Sequence, residues 1–147
     1  MMSDSDFDLD RRMERLKTVK SAFILEARSL NEQGLAAFAG PLFRRAAELE
    51  CELADLFRLQ NDSKNAAVSL FSAGSCLVHA RQYRSAAEIL ETVADRFPEA
   101  QGLIADCGDQ DDLPIVAETP ALQTLIELLV KKGVITEDDW LVAFSAR

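Results

Sequence analysis

The chain has 147 residues, a mass of 16.2 kDa and a formal charge of −9, which fits one domain able to bury about 70% of its unfolded surface without a disulfide or metal staple. A hydrophobic fraction of 48% excludes a wholly disordered chain, and only 10 Gly plus Pro residues argue for long helices over many turns. With 25 acids against 16 bases the surface repels phosphate backbones and anionic lipid, so nucleic-acid and peripheral membrane binding are disfavoured, while a basic partner stays open.

Residues 1–8 read as a frayed acidic tail, opposite in charge to the start of a signal peptide. No apolar run approaches the ~18 residues of a membrane span, so the expected location is the cytoplasm. From Leu9 onward, Met13, Leu16, Val19, Phe23, Ala27 and Leu30 recur at steps of three and four, the mark of an amphipathic helix. Gly34 interrupts or closes it.

An internal repeat follows. Residues 42–57 and 82–97 match at an offset of 40, with seven of sixteen positions identical, among them Arg44/Arg84, Ala46/Ala86, Ala47/Ala87 and Phe57/Phe97. The offset extends upstream to Ala27/Ala67, Leu30/Leu70 and Gly34/Gly74. Each unit reads as two helices. In the second, helix A runs from Lys64 to Ala80 and helix B from Tyr83 to Phe97, where Pro98 stops it. Gly74 and the Ala86–Ala87 pair let the two helices approach closely. In the first unit, Gly40–Pro41 lies between the helices or at an early position of the second. Asn61-Asp62-Ser63 joins the units and offers N-caps.

Residues 99–118 mix Gly, Pro and acids, with four aspartates between 106 and 112, and read as an acidic linker. No start position satisfies an EF-hand calcium loop. The three cysteines show no CxxC spacing and, being odd in number, make no disulfide framework. Cys51 and Cys76 read as small buried residues, and Cys107 as a loop thiol that neighbouring acids keep protonated.

The C-terminus reads as a helical hairpin over 119–147. Thr119 caps and Pro120 opens the first helix, whose stripe is Leu122, Leu125, Ile126, Leu129 and Val130. Lys131 and Lys132 complement its dipole and Gly133 is a left-handed stop. Thr136 and Asp139 start a short last helix presenting Trp140, Leu141 and Phe144.

The second unit resembles a tetratricopeptide repeat. Leu70, Ala73, Gly74, Leu77, Ala86, Leu90, Val93 and Pro98 fall on its consensus spacings, Gly74, Ala86 and Pro98 by identity, and Tyr83 takes the usual aromatic position. Residues 27–60 resemble it through the internal repeat, and the longer spacing is similar to that of the helical repeats of soluble NSF attachment proteins. The segment from Leu125 to Trp140 resembles a short C-terminal element of bacterial proteins that is linked to oligomerisation. The resemblance implies an all-α protein of about six helices, with two repeat hairpins (27–60 and 64–98), an N-terminal helix over 9–34 and the C-terminal hairpin. It further implies that helix A of each unit lines a groove for a protein partner, through Arg28, Asn31, Leu35 and Phe38 in the first unit and Val68, Phe71, Ser75, Val78 and His79 in the second. The dicarboxylate clamp of chaperone-binding repeats is not visible.

An enzyme is not expected. His79 is the sole histidine, and no phosphate loop, HExxH or GxSxG motif occurs, so neither a catalytic residue, a cofactor nor a metal is assigned. The expected function is that of a small acidic adaptor or chaperone holding a partner segment in an apolar groove. The alternative is a scaffold that self-associates as a homodimer through Leu129, Trp140 and Phe144. Two repeats are fewer than the ~3 that usually make a stable stack, so flanking helices, a partner or a second copy must complete the core.

Overall fold

The computed structural model describes residues 4–113, 118–134 and 136, and among them it contains six helices and no strand. They are α1 (Asp4–Glu32), α2 (Ala36–Leu59), α3 (Ser63–His79), α4 (Tyr83–Glu91), α5 (Pro98–Cys107) and α6 (Glu118–Lys131). Helices α1 to α5 pack each against the next, and α6 returns to pack on α2.

The stripe Met13, Leu16, Val19, Phe23, Ala27 and Leu30 is buried along α1, as its spacing predicts. It meets Leu42, Leu49 and Leu53 of α2, and these belong to one continuous core with Ala73, Leu77, Ala86 and Leu90. Gly74 acts as read, and Ala86 is fully buried. A Cβ on Gly74 would lie 2.5 Å from the Leu90 Cγ, so only glycine permits the α3–α4 approach.

Four helices end alike. The N–H of Leu35, Asp62, Gln82 and Val134 each bonds the carbonyl five residues earlier, at 2.8–2.9 Å, past a left-handed residue: Gly34, Asn61, Arg81 and Gly133. Gly133 is thus the stop its position predicts. Asp62 is the N-cap of α3, its carboxylate accepting from the Asn65 amide at 3.1 Å.

Several expectations are corrected. The helix begins at Asp4, inside the expected tail. Gly34 closes α1, whereas Gly74 sits mid-helix, so the offset of 40 does not carry these two into equivalent places. α2 opens at Ala36 and contains both Gly40 and Pro41, so the first hairpin turns earlier than the second. There is accordingly no separate N-terminal helix: α1 is itself half of the first hairpin. α4 ends at Glu91, and residues 92–96 form turns before Pro98. The first ten residues of the expected linker are largely helical. Pro98 takes the first position of α5, and Ala100 and Cys107 turn inward at a spacing of seven. Cys107 is therefore a buried helix residue rather than a loop thiol. α6 starts at Glu118, one residue before the expected cap. The final short helix, with Trp140 and Phe144, lies outside the described residues.

Candidate partner-binding groove

α2 carries two opposed stripes, each at steps of seven residues. Phe43, Glu50 and Phe57 form one; Phe38, Arg45 and Glu52 form the other, about 140° around the axis. Each is tied to α1. Lys20 Nζ lies 2.9 Å from Glu50 Oε1 on the first flank, and Arg12 pairs with Glu52 on the second.

Of the neighbouring helices, α3 occupies the first flank, where His79 stacks on Phe43 with ring centroids 5.0 Å apart. α6 also reaches this bundle from the side of Glu26. It packs on α2, and Lys132 Nζ reaches Glu26 at 3.9 Å. Glu26 and Arg28 sit on opposite sides of buried Ala27, about 100° from it each way, so α6 stands away from Arg28. The Arg28 charge is felt instead at Cys76 and His79 of α3.

α1 and α3 both pack on α2, and the face between them is the candidate groove. Lys20, Ile24, Arg28 and Asn31 edge it on α1, at steps of four, four and three. Lys64, Val68, Ser72, Ser75 and His79 edge it on α3. Val68 is 46% exposed, a large apolar side chain turned to solvent on this edge. Phe43 and Glu50 close the floor, both almost fully buried.

The expected site residues separate accordingly. Arg28, Asn31, Val68, Ser75 and His79 share the groove. Phe71 does not line it, because it stacks on Phe97 at 4.9 Å, toward α5. Val78, one helical repeat from Phe71, shares that direction and packs on the core. Phe38 is exposed but belongs to the opposite flank of α2, and Leu35 is the exposed residue between α1 and α2. Leu129, expected at a self-association surface, is 1% exposed and packed into the core of its own chain. The sequence reading missed Lys20, Phe43 and Glu50. The one signal for them was a charged residue, Glu50, recurring on the apolar face of α2.

The ionisable groups here are quiet. Burial pushes the Cys76 thiol up to about 12, helped by the Glu50 carboxylate and opposed by Lys20 and Arg28. Burial also raises Cys51 and Cys107, with neighbouring acids adding to it. None of the three is a ready nucleophile. Burial, then Arg28, lowers His79, so its ring is neutral near pH 7. Among the described residues no group of three or more His, Cys, Asp or Glu could hold a metal ion. An open cavity of about 400 Å³ lies between α4 and the strap 108–111, lined by Arg84, Glu88, Glu91 and Asp109 among others. No described helix is long and apolar enough to cross a membrane. No family model, curated protein or solved structure matches the chain.

Proposed function

We propose that the protein is a non-enzymatic binding module that holds a segment of a partner protein in the groove between α1 and α3, as an adaptor or chaperone in the cytoplasm. The observations behind this reading are that Lys132 of α6 meets α1 at Glu26, on the side away from Arg28, and that Val68 stands exposed on α3. An apolar side chain held at the rim of a polar-edged groove is the usual composition of a protein-binding site. The raised thiols and the neutral, ring-stacked His79 give no support to catalysis. Self-association through the C-terminal hairpin is the weaker reading, since Leu129 is consumed inside the chain.

The test is capture of partners from the native host on tagged protein, followed by mass spectrometry, beside Val68→Glu and Leu128→Glu. Val68 lies on the groove and Leu128, 46% exposed, on α6. A stoichiometric partner lost only in Val68→Glu supports the groove. Loss only in Leu128→Glu, or a homodimer as the sole species, rejects it.

A further inference from the structure

We propose that residues 137–147 of this chain cover an apolar shelf between α1 and α6 of the same molecule. The proposal goes beyond the α1–α3 groove and does not depend on it.

The shelf is built around one cross-helix contact. Glu26 of α1 and Lys132 of α6 stand 3.9 Å apart. Ala22, Leu25 and Glu26 are neighbours on the surface of α1, at steps of three and four. Leu128 and Lys132 share one face of α6, at a step of four. The ion pair therefore brings two exposed leucines to one place, Leu25 at 69% exposure and Leu128 at 46%. Val134, also exposed, follows two residues after Lys132. Leu125 and Leu129 of α6 are spent in the core, whereas Leu25, Leu128 and Val134 are not. Three large apolar side chains gathered at one contact differ from the single exposed leucines of an ordinary surface.

What adjoins this patch is the chain's own continuation. The Val134 N–H bonds the Leu129 carbonyl at 2.9 Å past left-handed Gly133, so the chain turns out of α6 within two residues of Lys132. Trp140 comes four residues after Thr136, a reach of up to about 13 Å. Residues 140–144, Trp-Leu-Val-Ala-Phe, are an unbroken apolar run. Before it come Glu137, Asp138 and Asp139, opposite in charge to Lys131 and Lys132, which are exposed at the end of α6. A segment tethered this closely competes at an effective concentration of about a millimolar, which a second copy or a separate protein in dilute solution does not reach. Seating Trp140 and Phe144 on Leu25 and Leu128 takes apolar surface out of water on both sides.

Trp140 is the sole tryptophan, so its fluorescence reports this segment directly in the whole protein. The expected result is emission at shorter wavelength than in the urea-unfolded chain and weak acrylamide quenching. Both should be independent of protein concentration, with a monomeric mass by light scattering. Leu25→Ser/Leu128→Ser should move the emission toward that of the unfolded chain and raise quenching about twofold. Far-UV circular dichroism should not change, because both side chains are exposed. Leu25→Ser alone should shift the emission in the same direction. Val68→Glu, on α3, should leave the signal as it is. Solvent-exposed Trp140 in the unmodified protein overturns the proposal, as does a protected Trp140 indifferent to the leucine substitutions. Protection lost on dilution, with a dimeric mass, assigns the segment to a second copy and overturns it too. Protection lost in Val68→Glu would put the segment in the α1–α3 groove, against both this proposal and the reading of that groove as a partner site. The other contrary outcomes leave that reading untouched.

Discussion

At the scale of single residues, three positions carry sharp and separable costs. Gly74 faces the Leu90 side chain, where an added Cβ would sit 2.5 Å from the Cγ of a residue with no exposure. Gly74→Ala should cost about 2 kcal/mol by overpacking, measured by urea unfolding. Arg81 is left-handed at φ 61 in a turn where glycine meets no strain. Arg81→Gly should stabilise by about 1 kcal/mol, the reverse of the usual glycine substitution. Its carbonyl bond from Leu113 survives the change. Lys20 neutralises a carboxylate that is 2% exposed. Lys20→Ala leaves Glu50 buried without its partner and should cost about 3 kcal/mol, well beyond an exposed ion pair. Of these three, Gly74 was legible as a position where a small residue lets the facing helix approach, although its neighbour there is Leu90 rather than the Ala86–Ala87 pair. Arg81 and the Lys20–Glu50 pair were not, since a left-handed arginine has no sequence mark and a cross-helix pair needs the packing register.

At the scale of elements, the strap after α5 acts as a cap for α4. The Asp112 carboxylate accepts from the Ser85 amide at 3.0 Å and from the Ser85 hydroxyl, while Gln82 donates to the Leu113 carbonyl at 2.6 Å. Burial alone would raise the Asp112 pKa, but the hydrogen bonds from Ser85 and Arg84 outweigh it and the net shift is downward. A carboxylate with a lowered folded pKa contributes stability above its unfolded value, and loses it as pH falls through the folded one. Asp112→Ala should therefore cost about 1 kcal/mol near pH 7, as loss of an N-cap does, with the difference from wild type shrinking in acid. The α3 boundaries were legible because Asp62 is a strong local cap. α5 was hidden by its acidic surroundings, although Pro98 at its first position and the Ala100–Cys107 spacing both announce it. The first hairpin was misplaced because the repeat aligns α2 with α4, while α2 carries about two further turns at its start, through Gly40 and Pro41, that α4 lacks.

For the whole molecule, the proposed function turns on the two flanks of α2. α6 packs on α2 and adds Leu125 and Leu129 to the core. On the candidate groove face Phe43 and Glu50 are buried and Val68 is exposed. His79, stacked on the floor residue Phe43, links this groove to pH. Its pKa is lowered by burial and by Arg28, so the unfolded chain takes up the proton first as pH falls below the ordinary histidine value. Stability should decline across that window, down to the folded pKa, and His79→Gln should flatten the decline in denaturant titrations run between pH 7.5 and 5. The helical character of the chain was legible in its apolar periodicity. The assignment of groove and covered flank was not, because it depends on which side of α1 receives α6, and Glu26 and Arg28 are equal candidates until Lys132 is placed.

The most direct measurement is amide hydrogen exchange on the protein with and without the partner segment recovered by capture. The account predicts added protection in residues 20–31 of α1 and 64–79 of α3, with α6 unchanged. Protection confined to α6 and the Phe38–Glu52 flank of α2, with the α1–α3 edges exchanging as before, would contradict it.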